Sequence, residues 1–352
     1  MHAATGSRGP DDEAAREDFY RRIDRLAMTP LWSVLGSLIT PTPASACQPW
    51  LWRYDELRPY LIEAGSLISA REAERRVLIL ENPGLRGQSR ITTSLYAGLQ
   101  LVMPGEIAPA HRHSQSALRF VIDGSGAYTS VDGERTTMEE GDFVVTPPGA
   151  WHDHGNPSDR PMIWLDGLDI PMVQFFDASF FERHPEEEQP LTRQPGDSLA
   201  RYGANMLPVD YDDRRPVSPI FSYPYARSRE ALERMRRQDE WDPCHGLKLR
   251  YIDPKSGEFA MPTIAPFLQL LPGGFRTARY RSTDATVFTP VEGRGRSIVD
   301  GEVLEWGPRD VFVVPSWRTV RHEADVDAVL FSFSDRVVQR KLGLFREERF
   351  AD

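Results

Sequence analysis

The stretch PGEIAPAHRHSQSALRFVIDGSG, residues 104–126, carries two histidines, His111 and His113, inside a run of residues typical of β-strands. Side chains alternate across a strand, so these two histidines project from the same face, roughly 7 Å apart along the chain. Both imidazoles can then reach one ion. A histidine pair of this kind also occurs at exposed polar strand positions, so the residues around it decide whether it is a metal site.

The composition provides material for more than one core. The 352 residues are 40% hydrophobic and 10% aromatic, which favours two domains or one duplicated fold. The 42 basic and 52 acidic residues are interleaved and give a net charge of −10, which argues against a nucleic-acid or anionic-membrane partner. The two cysteines, Cys47 and Cys244, are too few and too far apart in sequence for a disulfide framework.

The N-terminal sequence predicts neither a signal peptide nor a membrane anchor. The opening residues, MHAATGSRGPDDEAARED, contain no apolar segment of the signal-peptide type. The most apolar stretch near them, LWSVLGSLI at 31–39, is far shorter than the roughly 20 residues that a membrane helix needs. Together with the low cysteine content, these features predict a cytoplasmic protein with no membrane partner.

The chain divides into segments that differ in composition and in the spacing of their apolar residues. Residues 1–12 are small and polar and predict disorder, whereas EAAREDFYRRIDRLA at 13–27 places apolar residues at helical spacing. From about residue 90, short runs rich in Val, Ile, Thr and aromatics alternate with Gly and Pro turns, which predicts β-barrels or sandwiches. We expect an N-terminal arm (1–89), a first barrel (90–184), a linker (185–255) with a helix at 229–241, a second barrel (256–335) and a helical tail (336–352).

The pattern of predicted strands and turns occurs twice in the sequence. The quoted stretch aligns with PGGFRTARYRSTDATVFTPVEGRG at 272–295 with one inserted residue, and GDFVVTPPGAWHDHGN at 141–156 aligns with PRDVFVVPSWRTVRHEA at 308–324. The turn-forming Pro and Gly positions survive in both copies. The second copy has Tyr280, Ser282 and Val320 where the first has histidines. A structural requirement would have kept histidines in both copies, so those of the first copy are predicted to serve chemistry.

The surroundings of the histidines resemble the two motifs of the cupin superfamily. Gly105, the pair His111 and His113, and Gly124 match the first motif. The segment 141–156 has every spacing of the second motif, and both motifs occur in the expected order and separation. The resemblance implies a β-barrel with a metal site in its first copy.

The resemblance also predicts the ligands of this metal. They are His111, His113 and His152, the last from the second motif. Cupins usually supply a glutamate after the histidine pair, but Ala117 stands at that position here. Three neutral imidazoles leave several coordination positions open on a divalent ion. Zinc also accepts three histidines, so the ligand set alone leaves Fe(II) and zinc as alternatives.

Longer segments resemble the gentisate 1,2-dioxygenase family, from about residue 15 to the C-terminus. They include LENPGL, SLYAGLQLVMPGE and GDFVVTPPGAWHDHGN. The resemblance implies a mainly β bicupin, with two jelly-roll barrels, an N-terminal helical arm, helical linker segments and iron in the first barrel alone. It implies that Fe(II) and O2 cleave 2,5-dihydroxybenzoate to maleylpyruvate in aromatic catabolism, and that the chain forms a homotetramer.

An anionic aromatic substrate needs cationic groups near the ion. Arg119 lies six residues after His113, an even offset that keeps both on one strand face, and a substrate carboxylate could pair with it in bidentate fashion. The alternative is a buried ion pair between Arg119 and Asp166. The family comparison adds Arg75 as a second substrate contact, although two adjacent arginines, here Arg75 and Arg76, often include one solvated residue.

Further substrate contacts follow from the family comparison. Tyr96, Gly98 and Gln100 alternate along one strand face, which fits a small residue against the ring with polar groups beside it. Plain strand packing is an equal alternative for Gly98. The tyrosine is more typical of gentisate enzymes than of the related salicylate and hydroxynaphthoate enzymes.

Two more residues are candidates for catalysis together with Arg119. His154 shares a strand face with His152 and could act as acid or base on a substrate hydroxyl, or it could be a hydrogen-bonded histidine at the rim. Asp166 could orient a histidine or an arginine. We interpret His184, His245 and His322 as surface or packing residues.

Two other functions compete with gentisate cleavage. One is cleavage of a monohydroxylated acid such as salicylate or 1-hydroxy-2-naphthoate. The other is a metal-binding cupin without catalysis, which the missing glutamate and the neighbouring Arg119 and His154 disfavour.

Overall fold

The computed structural model describes residues 10–213, 215–238 and 240–351, in two compact units that divide after Ala44. The disorder expected for residues 1–12 therefore lies mostly outside the described residues. The first unit contains α1 (Pro10–Asp24) and α2 (Leu31–Leu38). The helix α1 starts three residues earlier than the predicted helix. Proline is favoured in the first turn of a helix because backbone N–H groups there have no acceptor within the helix.

The second unit begins with an arm that is less helical than the sequence predicts. It contains β1 (Trp50–Trp52), α3 (Tyr54–Leu67), α4 (Ala70–Ala73), β2 (Val77–Ile79) and a short 3₁₀ helix (Pro83–Leu85). The strand β1 pairs with a strand of the second barrel and β2 with a strand of the first. Arm residues thus complete both barrels, which local periodicity did not indicate because each pairing is with a distant segment.

The first barrel consists of two facing sheets. Its strands are β3 (Tyr96–Val102), β4 (Ile107–His113), β5 (Ala117–Asp123), β6 (Tyr128–Val131), β7 (Glu134–Thr137), β8 (Phe143–Thr146), β9 (His152–Gly155) and β10 (Met162–Leu168). Beyond it follow α5 (Ile170–Phe175), β11 (Phe181–Arg183), α6 (Asp197–Tyr202), β12 (Ser222–Tyr223) and α7 (Tyr225–Arg236). The sheet orders are β12-β8-β5-β10-β3-β2 and β11-β4-β9-β6-β7. The predicted linker therefore adds β12 to this barrel, whereas β11 lies within the predicted barrel itself. The helix α7 begins four residues earlier and ends five residues earlier than the predicted helix at 229–241.

The second barrel repeats this arrangement. Its strands are β13 (Leu247–Arg250), β14 (Ala265–Leu271), β15 (Tyr280–Ser282), β16 (Thr286–Glu292), β17 (Gly295–Val299), β18 (Glu302–Trp306), β19 (Val311–Val314), β20 (Val320–Ala324) and β21 (Ala328–Ser334). They are followed by α8 (Arg336–Lys341) and β22 (Glu347–Arg349). The sheet orders are β1-β19-β16-β21-β14-β13 and β18-β17-β20-β15-β22. The predicted mainly β, two-barrel fold is confirmed, but the tail is helical only at its start and ends as a strand paired with β15.

The motif glycines survive in both copies for a steric reason. Gly124 has a φ of +101°, and a Cβ there would lie 2.7 Å from the carbonyl oxygen of Pro161. Its counterpart Gly293 has a φ of +75°, and its Cβ would meet the carbonyl oxygen of Asp327 at 2.1 Å. Any side chain at either turn would be strained and would clash with backbone, so both barrels need glycine there.

The two barrels share one hydrophobic core. Phe120 of β5 stacks on Phe331 of β21, with ring centroids 4.1 Å apart, and Phe143 and Phe333 belong to the same cluster. Because side chains alternate along β5, Phe120 reaches the second barrel while its neighbour Arg119 points into the first. The large sheets are thus buried on both faces, which explains why β5 is almost wholly buried.

Two aspartates link the barrels in a reciprocal way. Asp169 accepts hydrogen bonds from the backbone of Ser116 in its own barrel and from the hydroxyl of Thr263, which lies between β13 and β14 of the second barrel. Asp335 accepts from the backbone of Ala285 and from the hydroxyl of Ser94, which precedes the first. Burial raises the pKa of each carboxyl to about 6.

None of the helices in the described part of the chain is long and apolar enough to cross a membrane.

We predict that Phe331→Ala lowers the free energy of unfolding by about 3–5 kcal/mol, because it leaves a cavity in the core shared by both barrels. Phe175→Ala is the control, since the Phe175 side chain is 80% exposed and its loss should change stability by less than about 0.5 kcal/mol. Urea unfolding followed by tryptophan fluorescence measures both. Equal effects of the two substitutions would contradict the shared core.

Candidate metal centre

The three motif histidines lie on two paired strands. β4 and β9 run antiparallel with His111 opposite His152, and His113 follows two residues later on β4. The register of this pair shifts between Ala108 and His111. Pro109 lies within the shift and has no N–H for a strand ladder. The irregularity re-aims the backbone directly before the first histidine.

The three imidazoles converge on one point. The ring centroids of His111 and His152 are 4.4 Å apart, those of His113 and His152 4.8 Å, and those of His111 and His113 5.4 Å. Their ligand nitrogens all lie within 4.8 Å of one another. Among the described residues, no other group of three or more His, Cys, Asp or Glu side chains is arranged in this way.

The surroundings keep these imidazoles neutral. Burial is the main cause that lowers the pKa of each ring, and the positive charges of Arg75 and Arg119 lower it further. The pKa of His113 falls to about 4, and those of His111 and His152 fall well below the usual value. A neutral imidazole has a lone pair for a metal ion, so all three rings are in the ligating form at neutral pH.

Backbone carbonyls set which nitrogen carries that lone pair. The Nδ1 of His113 lies 3.1 Å from the carbonyl oxygen of Gln115, and the Nδ1 of His152 lies 3.0 Å from that of Ala150. A carbonyl only accepts hydrogen bonds, so Nδ1 carries the proton in both rings and Nε2 is available to a metal.

The donor set fits a divalent transition metal. The cluster contains three imidazole nitrogens and no carboxylate. Ala117, at the position of the usual cupin glutamate, lines the cavity beside the histidines and supplies no ligand atom. No ligand of the cluster offsets the charge of a divalent ion, which favours binding of an anion from solution.

The histidines open into a cavity of about 280 Å³. Eight of the ten predicted site residues line it: Arg75, Tyr96, Gln100, His111, His113, Arg119, His152 and Asp166. Gly98 and His154 do not belong to this lining.

Arg119 is the central cation of the cavity. Its side chain is 4% exposed and its Nη1 donates to the hydroxyl of Thr146 at 2.5 Å. Its Nε lies 3.7 Å from a carboxylate oxygen of Asp166, which also accepts a hydrogen bond from the indole of Trp164 at 3.0 Å. Burial raises the pKa of Asp166 to about 6, although the charges of Arg119 and Arg75 act in the opposite direction. The ion pair between Arg119 and Asp166, which was the alternative to a substrate contact, is therefore present. The Nε of Arg119 nevertheless has no hydrogen-bond partner.

Neither of the two adjacent arginines is exposed, since Arg75 is partly buried and Arg76 is buried, which does not support the alternative that one of them is solvated. Arg75 lines the cavity and its Nη1 donates to the carbonyls of Glu74 and Pro109. Its Nη2 is buried without a partner, and burial together with the charge of Arg119 lowers its pKa to about 9. Arg76 is 4% exposed and pairs with Glu106 instead.

The strand β3 contributes one face of the cavity. Gln100 is 2% exposed and its side-chain Nε2 has no hydrogen-bond partner. The space in front of Gly98 is taken, because a Cβ there would lie 2.4 Å from the Val77 side chain and 3.1 Å from the Tyr96 hydroxyl. These contacts support the packing alternative for Gly98, while Tyr96 and Gln100 reach the cavity.

His154 is fully buried, so the alternative that it is a histidine at the rim of the cavity is wrong. Its Nδ1 lies 2.9 Å from the hydroxyl of Thr129, and its ring packs edge-on against Trp164. Its Nε2 has no hydrogen-bond partner.

Sequence comparison shows the family of this chain. It is 64% identical over 334 residues to gentisate 1,2-dioxygenase 1 of Aquipseudomonas alcaligenes, an alignment that covers 95% of this chain and 96% of the relative. The chain belongs to the gentisate 1,2-dioxygenase family. It is also 36% identical to 5-aminosalicylate 1,2-dioxygenase of Comamonas sp, over 97% of this chain and 91% of that protein.

The known folds agree with the membership in the gentisate 1,2-dioxygenase family. Residues 98–168 match the cupin domain model. The structure of salicylate 1,2-dioxygenase from Pseudoaminobacter salicylatoxidans in adducts with gentisate superimposes with a TM-score of 0.91 at 32% identity, covering 99% of this chain and 97% of that chain. The predicted bicupin fold and the predicted family are confirmed.

Sequence reasoning missed the apolar lining of the cavity in this gentisate 1,2-dioxygenase family member. The missed side chains are Val77, Leu168, Ile170 and Phe181. The ring of Phe181 lies 4.9 Å from that of His111, because β11 pairs with β4. Phe181 was outside every motif, and only the pairing of two distant strands brings it to the site.

We predict that His113→Ala lowers the metal content of the purified protein at least about ten-fold, because two imidazoles remain where three converged. His322→Ala is the matched control, since His322 is a buried histidine of the second barrel outside the cluster. Elemental analysis of both variants measures the content. A metal content that falls in both, or in neither, would exclude the cluster as the metal site.

Proposed function

We propose that this protein is an Fe(II)-dependent gentisate 1,2-dioxygenase, which converts gentisate and O2 to maleylpyruvate in aromatic catabolism. The observation that carries the proposal is one cavity with three neutral imidazoles, no carboxylate ligand and two arginines in its lining, Arg119 buried and Arg75 partly buried. The relatives that act on gentisate and on substituted salicylates support the substrate class.

When bound, Fe(II) supplies coordination positions for the substrate and for O2, together with a path for electrons from the electron-rich ring to oxygen. Zinc fits the same three histidines but exchanges no electrons. In the overall reaction, the bond between the carboxyl-bearing and the adjacent hydroxyl-bearing ring carbon breaks, and both atoms of O2 enter the product. No external reductant is needed.

Arg119 and Arg75 bind the substrate carboxylate in this proposal. Both guanidinium groups have a buried N–H without a partner, Nε in Arg119 and Nη2 in Arg75. Burial lowers the pKa of both, because their charge is poorly compensated within the protein. A carboxylate between them would offset the charge and accept the unused hydrogen bonds. Asp166 holds Arg119 in place at 3.7 Å.

Polar groups on β3 orient the substrate ring. The amide Nε2 of Gln100 is a buried donor without a partner and lines the cavity, so a substrate hydroxyl or carboxylate can accept from it. Tyr96 lines the same wall, and burial raises its pKa, so its phenol stays protonated and able to donate. The proposed acid–base role of His154 is supported by its unpartnered Nε2 alone and stays a prediction.

Two further predictions concern the assembly and its location. The homotetramer is supported by α2, which has no buried residue and exposes Leu31, Trp32, Leu35 and Leu38. A second copy of the chain would cover such an apolar face. The cytoplasmic location is supported by the sequence features given above.

We expect the Fe(II)-loaded protein, mixed with gentisate under air, to consume one O2 for each ring-opened product, and the zinc-loaded protein to consume none. An oxygen electrode and the absorbance of the product measure both. Faster turnover of salicylate or 1-hydroxy-2-naphthoate than of gentisate would replace the substrate assignment. Absence of oxygen uptake with all three acids would leave a metal-binding cupin without catalysis.

We predict that Arg119→Met raises the KM for gentisate at least about ten-fold, because the substrate carboxylate loses a charged partner. Arg112→Met is the matched control: Arg112 lies between two histidines on β4, but it stacks on Trp151 and pairs with Glu182. Steady-state kinetics of both iron-loaded variants provide the measurement. A KM that Arg112→Met raises equally would show that the effect is not specific to the cavity.

A further inference from the structure

The second barrel encloses a cavity at the place where the first barrel holds its histidines. Tyr280 of β15 lies opposite Val320 of β20, as His111 lies opposite His152. Both residues line the cavity, together with Ser282 and His322. The cavity therefore occupies the position of the metal site, with none of the three ligands retained.

Four cationic side chains line this second cavity, and three of them are paired. Arg336 pairs with Asp284 at 3.0 Å, Arg281 donates to Glu348 at 2.8 Å, and Arg318 pairs with Asp300 at 3.1 Å. These three guanidinium charges are thus offset within the protein.

The fourth cation, Lys248, has no such partner. Its ammonium lies over the rings of Phe267 and Phe288, at 4.8 and 5.7 Å from their centroids, and it forms no hydrogen bond or ion pair with any described residue. Burial and the charge of Arg336 lower the pKa of Lys248 to about 7, although the carboxylates of Asp284 and Asp242 act in the opposite direction. Lys248 is only partly buried, and its ammonium has three N–H donors with no acceptor among the described residues, so an anion in the cavity can complete its hydrogen bonds.

Internal symmetry shows that Lys248 is particular to the second barrel. Lys248 pairs across β13 and β14 with Gln269, as Val77 pairs with Gln100 across β2 and β3. Where the first barrel has an apolar residue beside three metal ligands, the second has an ammonium and no ligands. Each barrel thus places positive charge in its cavity, the first through Arg75 and Arg119 beside the three histidines and the second through Lys248.

A second donor faces the same space. The hydroxyl of Ser297 accepts a hydrogen bond from the indole of Trp306 at 2.9 Å and lies 2.7 Å from Nδ1 of His322. Ser297 is fully buried, so its hydroxyl proton needs an acceptor, and His322 Nδ1 is the one within reach. The proton of the His322 ring is then on Nε2, which makes this nitrogen a donor. His322 is therefore more than a packing residue.

We propose that the second barrel binds a small monovalent anion of halide size, with Lys248 as its counter-ion and His322 as a hydrogen-bond donor. The enclosed volume of about 30 Å³ holds about two water-sized spheres, which is too little for an aromatic acid. The site is thus distinct from the substrate cavity in the first barrel, and its occupancy does not depend on the proposed dioxygenase activity.

Bromide is the probe, because its anomalous scattering identifies it in a crystal. Crystals of the full chain soaked in sodium bromide should show an anomalous peak between Lys248 and His322, and crystals of Lys248→Met should lack it. Lys341→Met is the control for loss of a lysine charge, since Lys341 lies on the exposed surface and donates only to the carbonyl of Pro262. No peak in the wild-type protein, or an equal peak in Lys248→Met, would overturn the proposal.

Thermal unfolding provides the solution measurement. At constant ionic strength, exchange of gluconate, which is too large for the cavity, for bromide should raise the Tm of the wild-type protein and of Lys341→Met. In Lys248→Met the apparent bromide affinity should fall at least about ten-fold. Lys248→Gln, which keeps a polar group, repeats the test if the methionine variant does not fold. A bromide effect of equal size in all folded variants would show general salt stabilisation and overturn the proposal.

Discussion

The antiparallel pairing of β4 with β9 is the constraint on which the site depends. It places His111 opposite His152 and, with the register shift at Pro109, aims three imidazoles at one point. The same pairing joins β11 and β4 to β9, β6 and β7 within the smaller sheet of the first barrel. The geometry of the ligands therefore follows from the geometry of the barrel. The three histidines lie on strands rather than on loops, which favours precise positioning of their imidazoles.

The electrostatics of the site follow from the depth at which these strands lie. Burial and the two arginines keep the imidazoles neutral, and the absence of a carboxylate ligand leaves the charge of a metal to be balanced by an anion. The unused donors on Arg75, Gln100 and Arg119 surround the same cavity. In the proposed function, a substrate carboxylate would accept from these donors and would also offset part of the charge of the metal.

Duplication made it possible for one barrel to change while the other kept the chemistry. The turn glycines Gly124 and Gly293 remain in both copies because a Cβ at either position would clash with backbone. A hydrogen bond between a strand hydroxyl and a buried histidine is also present in both copies, with Thr129 and His154 in one and Ser297 and His322 in the other. The ligand positions differ, since no part of the second barrel depends on them for its fold.

The sequence by itself determined the two-barrel fold, the three metal ligands and most of the cavity lining. Strand alternation placed His111, His113 and Arg119 on one face, the internal repeat set the histidines apart from the fold, and the resemblance to cupins implied that they are ligands. Only the tertiary structure decided that arm and tail segments add strands to the barrels, that the ring of Phe181 lies beside that of His111, and that Val77 packs closely against Gly98. These contacts join residues far apart in sequence. A local sequence pattern can predict each strand, but it does not show which distant strand pairs with it.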